Sequence, residues 1–299
     1  MLRSDDAKFY DEYYFKHGCG RPYERSPEWL QFFGGIAEKI VREINPRSVL
    51  DAGCAIGFLV EALRERGVEA FGVDISEYAI GKVPPDLQSY CRLGSVTDPL
   101  PRTYDLIVCI EILEHLAPQD SERAVENFCQ HSDDVLFSST PTDYKEATHF
   151  NVQPPEYWAE LFAHHGFLRD VDFDASFINP WAARFRRRKE PAARVVRDYE
   201  RKFWLLWKEN TDLRALTVEM RNQLAADEQT IQSQQQTIQS QAQTIQSLRA
   251  RMAEVLNSHS WRLMQRVQRI RLGLAPHGSR RERWIRNGMR LVWRDGNRE

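Results

Sequence analysis

The chain has 299 residues, of which 42% are hydrophobic and 28% are charged, and its formal net charge is −2. Its five cysteines are scattered without a Cys-x-x-Cys pair, so neither a disulfide framework nor a thiolate zinc site is expected. The first residues lack an apolar signal segment, and no apolar run reaches the roughly 18 residues of a membrane span. We therefore expect a cytoplasmic protein.

Residues 1–46 are predicted to form an aromatic cap followed by a helix. Residues 9–25 combine many Phe and Tyr residues with Gly and Pro. We expect this segment to be irregular, either as a lid over a pocket or as simple packing against the domain. Ser26 and Pro27 are a typical helix start, and the apolar spacing that follows predicts a helix to about Glu43.

Strand and helix patterns alternate between residues 47 and 183, which predicts a doubly wound α/β sheet with right-handed crossovers. The predicted helices cover residues 58–66, 78–82 and 154–165, and one capped by Ser121 runs to Cys129. The predicted strands cover residues 49–50, 70–73, 90–93, 106–110 and 135–137, with an antiparallel edge strand at Val171–Phe173.

The chain changes character after the predicted sheet. Residues 184–215 are expected to form a charged connector and a helix, and residues 216–257 carry a seven-residue repeat. That period predicts a left-handed coiled coil with a partly polar seam, and hence a homo-oligomer; a Gln-rich disordered linker is the alternative. One core position holds Leu224, Ile231, Ile238, Ile245 and Met252, and the other holds Asp227, Gln234, Gln241, Leu248 and Val255.

Residues 258–299 form a basic amphipathic tail in our prediction. This segment has eleven arginines and three acidic residues, a local charge of +8. Arg and Trp on amphipathic helices are typical of proteins that bind the headgroup layer of an anionic membrane. Docking onto another protein would use the same residues, and nucleic acid is the least expected of the three partners. We therefore expect a cytoplasmic protein held peripherally at the inner membrane face.

A small-residue turn follows the first predicted strand. Asp51, Gly53 and Gly57 lie at this turn, and the next strand ends in Asp74. Glycines allow the backbone to approach a ligand closely, and a carboxylate at the second strand end can accept hydrogen bonds from two ribose hydroxyls. The Gly-x-Gly-x-x-Gly pattern that admits a pyrophosphate is absent, so the turn favours a ligand without phosphates.

Several motifs in order resemble those of class I S-adenosylmethionine-dependent methyltransferases: Val49–Gly57, Gly72–Ser76, Tyr104–Val108 and Glu111–Leu116. The resemblance covers roughly residues 30–180. It implies a seven-stranded Rossmann-like sheet, here followed by a long helical coiled coil and the basic helical tail, with S-adenosylmethionine as cofactor. The cofactor-binding residues that it implies are Asp51, Gly53, Cys54, Ala55, Gly57, Asp74, Ile75, Ser95, Val96 and Glu111.

Two positions depart from the family pattern. Ala55 stands where the family's loop has its central glycine, which narrows the backbone approach by one methyl group. Ser95 stands where an acid often contacts the adenine amino group, so that contact is expected only as a region from Gly94 to Val96.

The segments Thr148–Val152 and Pro154–Trp158, with the aromatic N-terminus, resemble the branch of this family found in O-antigen and other cell-surface glycan pathways. That likeness implies a carbohydrate or lipid-linked glycan acceptor, with glycan-assembly proteins as partners. The alternatives are RNA 2′-O-methylation, and a domain that has lost catalysis and serves as a coiled-coil scaffold.

Oxygen methylation requires removal of the hydroxyl proton, for which histidine is the usual side chain. His115 follows the fourth strand and His149 lies after the fifth, so either is a candidate base; a structural histidine is the alternative. Glu111 and Glu114 with these histidines also resemble the Mg²⁺ or Mn²⁺ site of small-RNA 3′-end methyltransferases. That site needs a further histidine, and His164-His165 falls on a predicted helix end, so no metal is expected.

Overall fold

The computed structural model describes residues 6–283. Clustering of contacts divides the chain into two compact units, with the division between Trp207 and Lys208. No helix within the described range combines the length and apolar character that a membrane crossing needs. Part of the predicted basic tail, from Trp284 onward, lies outside the described residues.

The first unit contains a seven-stranded sheet, as the sequence predicts. The strands are β1 (Ser48–Ala52), β2 (Glu69–Asp74), β3 (Cys91–Leu93), β4 (Leu106–Ile110), β5 (Asp134–Ser138), β6 (Phe167–Arg169) and β7 (Ala183–Arg187). Their order is β3-β2-β1-β4-β5-β7-β6. β7 runs antiparallel to both of its neighbours, β5 and β6, and the remaining pairs of this sheet are parallel.

Helices cover both faces of the sheet and bury its central strands. Val49 belongs to the apolar core on one face, and the next residue, Leu50, belongs to the core on the other. This alternation follows from the two-residue period of a strand. The helices of the first unit are α1 (Glu12–His17), α2 (Pro27–Glu43), α3 (Phe58–Arg64), α4 (Glu77–Lys82), α5 (Pro118–His131) and α6 (Pro155–His164).

Strand order places the carboxyl ends of β1, β2 and β4 at one edge of the sheet. β1 pairs in parallel with β2 on one side and with β4 on the other. The chain therefore reverses direction across the sheet at β1, and a crevice for a ligand forms beyond such a point.

The prediction for the last strands is wrong in two places. Val171–Phe173 is not a strand, and the supposed charged connector contains β7, which lies between β5 and β6. Acidic partners explain why this Arg-rich run enters the sheet: the Arg184 guanidinium binds the buried Asp134 carboxylate of β5, and Arg187 pairs with Asp133. The sheet therefore extends past the predicted boundary at residue 183.

Two helix starts also differ from the prediction. α5 begins at Pro118, three residues before Ser121, whose hydroxyl donates instead to the Leu113 carbonyl at 3.0 Å. In the N-terminal segment, the predicted irregular stretch contains the short helix α1, capped by the Asp11 carboxylate on the amide of Tyr14. The start of α2 is confirmed, because the Ser26 side chain caps the amide of Trp29.

The rest of the described chain is helical. α7 (Ala192–Asn257) begins in the first unit and continues into the second, and α8 (His259–Leu274) follows after a Ser258 cap. The repeat region is therefore helix rather than disordered linker. Its heptad residues are exposed, between 50% for Ile245 and 65% for Met252, so the coiled-coil pairing stays a prediction.

Candidate active site

The loop after β1 is shaped by two glycines with left-handed backbone conformations. Gly53 has φ = 87° and Gly57 has φ = 82°, a region that favours glycine. A Cβ on Gly53 would also lie 2.2 Å from the end of the Ile112 side chain, so a larger residue would require that side chain to move. The amides of Gly53 and Cys54 donate to the Val73 carbonyl at 2.8 and 3.1 Å, which ties the loop to β2.

Ala55 adopts the left-handed conformation that the family pattern gives to a glycine, with φ = 45°. Its amide donates to Asp74 Oδ2 at 2.8 Å. Left-handed backbone costs roughly 1–2 kcal/mol for a residue with a Cβ, and this hydrogen bond to a carboxylate offsets part of that cost. The loop thus accommodates an alanine at this position.

Asp51 and Asp74 are both buried at the ends of their strands. Burial raises the pKa of Asp51 to about 8, and the neighbouring Asp74 charge adds to the shift. Burial also raises the pKa of Asp74, while the amides of Ser76 and Ala55 act in the opposite direction. No ion pair among residues 6–283 involves either carboxylate. Two buried acids without a cationic side chain fit a ligand that carries positive charge and hydroxyl groups.

The other predicted cofactor residues occupy different surroundings. The Cys54 side chain points into the core, where a Cβ on Gly72 would lie 2.5 Å from its sulfur, so only its backbone can face a ligand. Ile75 is half-buried beyond Asp74. Ser95 and Val96 are buried at the end of β3, and their loop is held by an interaction that the sequence reading missed: the Asn127 amide donates to the Val96 carbonyl at 2.8 Å.

Glu111 is held by residues far along the chain. Its Oε1 accepts from the side chains of Asn179, at 3.0 Å, and Trp181, at 2.9 Å. Its backbone is left-handed, with φ = 52°. Neither partner was predicted, because nothing local in the sequence links residues 179–181 to the end of β4.

The two candidate histidines are in direct contact. The His115 and His149 rings lie 4.6 Å apart between centroids. Burial lowers the pKa of His115 to about 4, and the charge of His149 contributes in the same direction. His149 Nε2 lies 3.2 Å from Glu146 Oε2. Thr148 also reaches this group, since its hydroxyl donates to Glu146 Oε1 at 2.6 Å.

The aromatic N-terminus covers this cluster as well as packing against the domain. The rings of Tyr10 and Tyr14 approach His115 edge-on, at 5.7 and 6.3 Å. The Tyr14 hydroxyl donates to Glu146 at 3.1 Å. The Tyr10 carbonyl accepts from the Ser76 hydroxyl at 2.5 Å. Since the Ser76 amide binds Asp74, Tyr10 connects the acids of the first site to the histidine cluster.

Comparison with known proteins agrees with the loop and the fold. Residues 24–170 match the family described as a methyltransferase domain. The strand order, the glycine loop and the buried acid that ends β2 agree with the methyltransferase domain that this match describes. Asp51, Gly53 and Asp74 fit S-adenosylmethionine, because they offer close backbone approach and two buried acidic side chains without a cationic partner among the described residues.

The relatives of the chain include O-methyltransferases. A ubiquinone biosynthesis O-methyltransferase from Azoarcus sp. (strain BH72) is 30% identical over 162 residues, which cover 51% of this chain and 64% of the relative. An enzyme of the same name from Methylococcus capsulatus is 28% identical over 146 residues, 45% of this chain and 58% of the relative. The chain thus spans less than two thirds of either relative.

Solved structures are similar at lower identity. Magnesium protoporphyrin IX methyltransferase from Synechocystis PCC 6803, crystallised with bound SAM, is 17% identical, with a TM-score of 0.48, and covers 63% of this chain and 100% of its own. Both relatives are named for ubiquinone biosynthesis rather than for surface glycans. The resemblance to the branch found in surface-glycan pathways therefore stays a prediction.

Proposed function

We propose that this protein is an S-adenosylmethionine-dependent O-methyltransferase whose acceptor is a hydroxyl of a carbohydrate, on a cell-surface glycan or a lipid-linked sugar. One observation supports the proposal most directly. The Tyr10 ring contacts His115 and its carbonyl accepts from Ser76. The loop of Asp74 therefore lies beside the paired histidines, as a cofactor site and a proton-accepting site would.

S-adenosylmethionine, when bound, supplies an electrophilic methyl group. Asp74 would hold its ribose hydroxyls, because each carboxylate oxygen keeps a lone pair beyond the one used by an amide. Asp51 would stabilise its positive charge, and the glycine loop would admit its methionine part. The buried loop of Ser95 and Val96 would border the adenine.

The acceptor side of the site has groups that can orient a hydroxyl, and His149 beside Glu146 is the better placed histidine to take its proton, because burial lowers the pKa of His115 to about 4. The imidazoles of His115 and His149 stand beside Glu146, and Tyr10 and Tyr14 wall them on one side. Aromatic rings stack on the apolar face of a sugar, and Phe9 and Phe150, each about half exposed, lie 6.2 Å apart as further stacking surfaces. These features support a carbohydrate acceptor.

The relatives named ubiquinone biosynthesis O-methyltransferase support a second candidate, a phenolic hydroxyl as acceptor. A phenol stacks on the same rings and loses its proton more readily than an alcohol. Transfer of labelled methyl from S-adenosylmethionine should therefore be measured with a lipid-linked glycan, with a catechol and with RNA. Incorporation into the catechol alone would replace the carbohydrate proposal by this second candidate.

Cofactor binding provides the first test. We expect calorimetric titration with S-adenosylmethionine to give one site per chain, and Asp74→Ala to weaken binding by at least tenfold, since hydrogen bonds to charged groups contribute about 1.5–3 kcal/mol each. Asp86→Ala, which removes an exposed carboxylate, is the matched control. Absence of binding, or equal binding by both variants, would contradict both enzyme assignments and leave the scaffold alternative.

A further inference from the structure

One tyrosine of the aromatic N-terminal segment, Tyr23, packs against the glycine loop, residues 53–57. Its side chain contacts the apolar cluster that includes Ile56 of that loop. The distances between ring centroids are 4.6 Å to Trp29, 5.4 Å to Phe58, 5.9 Å to Phe15 and 6.3 Å to Phe33. Because Phe58 directly follows the loop, the Tyr23 ring lies beside the end of the loop from which α3 begins.

Two hydrogen bonds hold the backbone of this segment in place. The Tyr23 amide donates to the Phe15 carbonyl at 2.7 Å, and the indole Nε1–H of Trp29 donates to the carbonyl of the preceding residue, Pro22, at 2.9 Å. Together with the ring contacts, these bonds fix the position of Tyr23 before any ligand binds.

The Tyr23 hydroxyl is a donor without an acceptor. Within residues 6–283 it has no hydrogen-bond partner, and the side chain is half-buried, so a ligand can reach it. Burial raises the pKa of this phenol well above its usual value, and the charges of Asp51 and Asp74 act in the same direction. The phenol therefore keeps its proton and lies close enough to the two buried acids to sense their charge.

The glycine loop has few amides left to bind a negatively charged group. Four of its amides already donate to other groups of the protein, those of Gly53, Cys54, Ala55 and Gly57. Arg25, two residues after Tyr23, is also engaged, because its two terminal nitrogens each bind a carboxylate oxygen of Glu61 at 2.6 Å. A ligand carboxylate at this loop therefore needs another side-chain donor.

We propose that Tyr23 is a further cofactor-binding residue, whose hydroxyl donates a hydrogen bond to the carboxylate in the methionine part of S-adenosylmethionine. Near Asp51 and Asp74 that carboxylate needs a donor, because like charges repel strongly in a buried site. A neutral phenol supplies the hydrogen bond without forming the ion pair that a lysine or arginine would form with the same acids. Both acids thus stay free for the positive charge and the hydroxyls of the ligand. This role rests on the proposed cofactor site.

Two ligands that differ in the amino-acid part isolate this contact. S-adenosylhomocysteine has the carboxylate and 5′-methylthioadenosine lacks the amino acid, while both keep the adenosine and an uncharged sulfur. Calorimetric titration of the full-length protein with each ligand measures both affinities. We expect Tyr23→Phe, which preserves the ring, to weaken S-adenosylhomocysteine binding at least about tenfold, as for other hydrogen bonds to charged groups. Binding of 5′-methylthioadenosine should be unchanged.

Tyr13→Phe is the matched control, because it removes a hydroxyl from an exposed tyrosine of the same segment and should leave both affinities unchanged. Equal weakening of both ligands by Tyr23→Phe would show that the tyrosine acts through packing, and would overturn the proposal. Unchanged binding of S-adenosylhomocysteine by Tyr23→Phe would overturn it too, while leaving the cofactor site intact. A wild-type protein that binds neither ligand would contradict the cofactor site itself, and the role of Tyr23 with it.

Discussion

At the scale of single residues, Asp51 is the most informative side chain of the proposed cofactor site. It lies fully inside the domain next to a second buried acid, and its ionised form has no cationic partner among the described residues. Such an arrangement is unfavourable in the free protein and favourable once a positively charged ligand is bound. Residues of this kind reduce stability in exchange for binding.

The pKa of Asp51 predicts how stability depends on pH. The folded-state pKa is about 8, above the unfolded value near 4. The folded state therefore retains this proton more strongly, and the contribution of Asp51 to stability is fully present below pH 4 and is lost as pH rises towards 8. We expect Asp51→Asn to remove this loss, of the order of a few kcal/mol.

Urea unfolding of the wild-type protein and Asp51→Asn at pH 5 and pH 8 tests this expectation, because other titrating groups affect both proteins alike. The difference between the two proteins should grow with pH. A constant difference would show that Asp51 does not titrate in this range. Addition of S-adenosylmethionine at pH 8 should stabilise the wild-type protein more than the variant.

At the scale of elements, α7 presents its heptad positions to solvent. Ile231 and Ile238 are exposed by 52% and 64%, and the second core position holds Gln234 and Gln241. Isoleucine at every seventh residue is the pattern by which helices of separate chains pair, and the glutamines reduce the strength of that pairing. We propose that two or more copies of the chain associate along this face.

The double variant Ile231→Lys with Ile238→Lys should dissociate the oligomer, because it places like charges in the seam. Sedimentation velocity on the full chain measures the change. The double variant Gln236→Lys with Gln243→Lys adds the same charge at outward heptad positions and should retain the wild-type mass. A wild-type protein that sediments as a monomer would show that the repeat forms a single helix only.

α8 combines an apolar stripe with arginines and has no acidic residue. Leu263, Val267, Ile270 and Leu274 share one face and are exposed by 58–65%, while Arg262, Arg266 and Arg269 follow its edge. Each arginine near an anionic bilayer contributes about 1 kcal/mol, and the apolar stripe adds burial in the headgroup layer. We propose that this helix binds the anionic face of a membrane.

Val267→Asp with Ile270→Asp should abolish co-sedimentation with phosphatidylglycerol vesicles at low salt. Gln265→Asp with Gln268→Asp adds equal charge on the opposite side of the helix and should weaken sedimentation only modestly. If the two double variants weaken co-sedimentation equally, the added charge alone explains the loss of membrane binding. Sedimentation that survives deletion of residues 258–299 would contradict the membrane proposal.

At the scale of the whole molecule, local sequence patterns predicted most strands of the sheet well and its last strands poorly. The central strands β1, β4 and β5 are buried on both faces, so their apolar runs are visible in the sequence. The sequence of β7 predicts a charged connector, because three of its residues are Arg184, Arg186 and Arg187. Its pairing depends on Asp133 and Asp134, which lie some fifty residues earlier, so no local window contains the reason for the strand.

The sequence by itself determined the glycine loop after β1 and the acid that ends β2. The loop from Asp51 to Gly57 and the acid Asp74 are visible as short-range sequence patterns, because the local backbone conformation requires each residue type. Gly53 and Gly57 are needed for positive φ, and Asp74 is needed at a strand end. The sequence also determined the heptad repeat, because a period of seven is a local property.

Only the tertiary structure decided the acceptor side. His115 and His149 were separate candidates in the sequence, and the fold brings their rings into contact beside Glu114, Glu146 and Tyr14. Asn179 and Trp181 reach Glu111 in the same way. The physical reason is that these contacts join loops from the ends of different strands, and the distance between such loops depends on strand order and loop course rather than on any spacing along the chain.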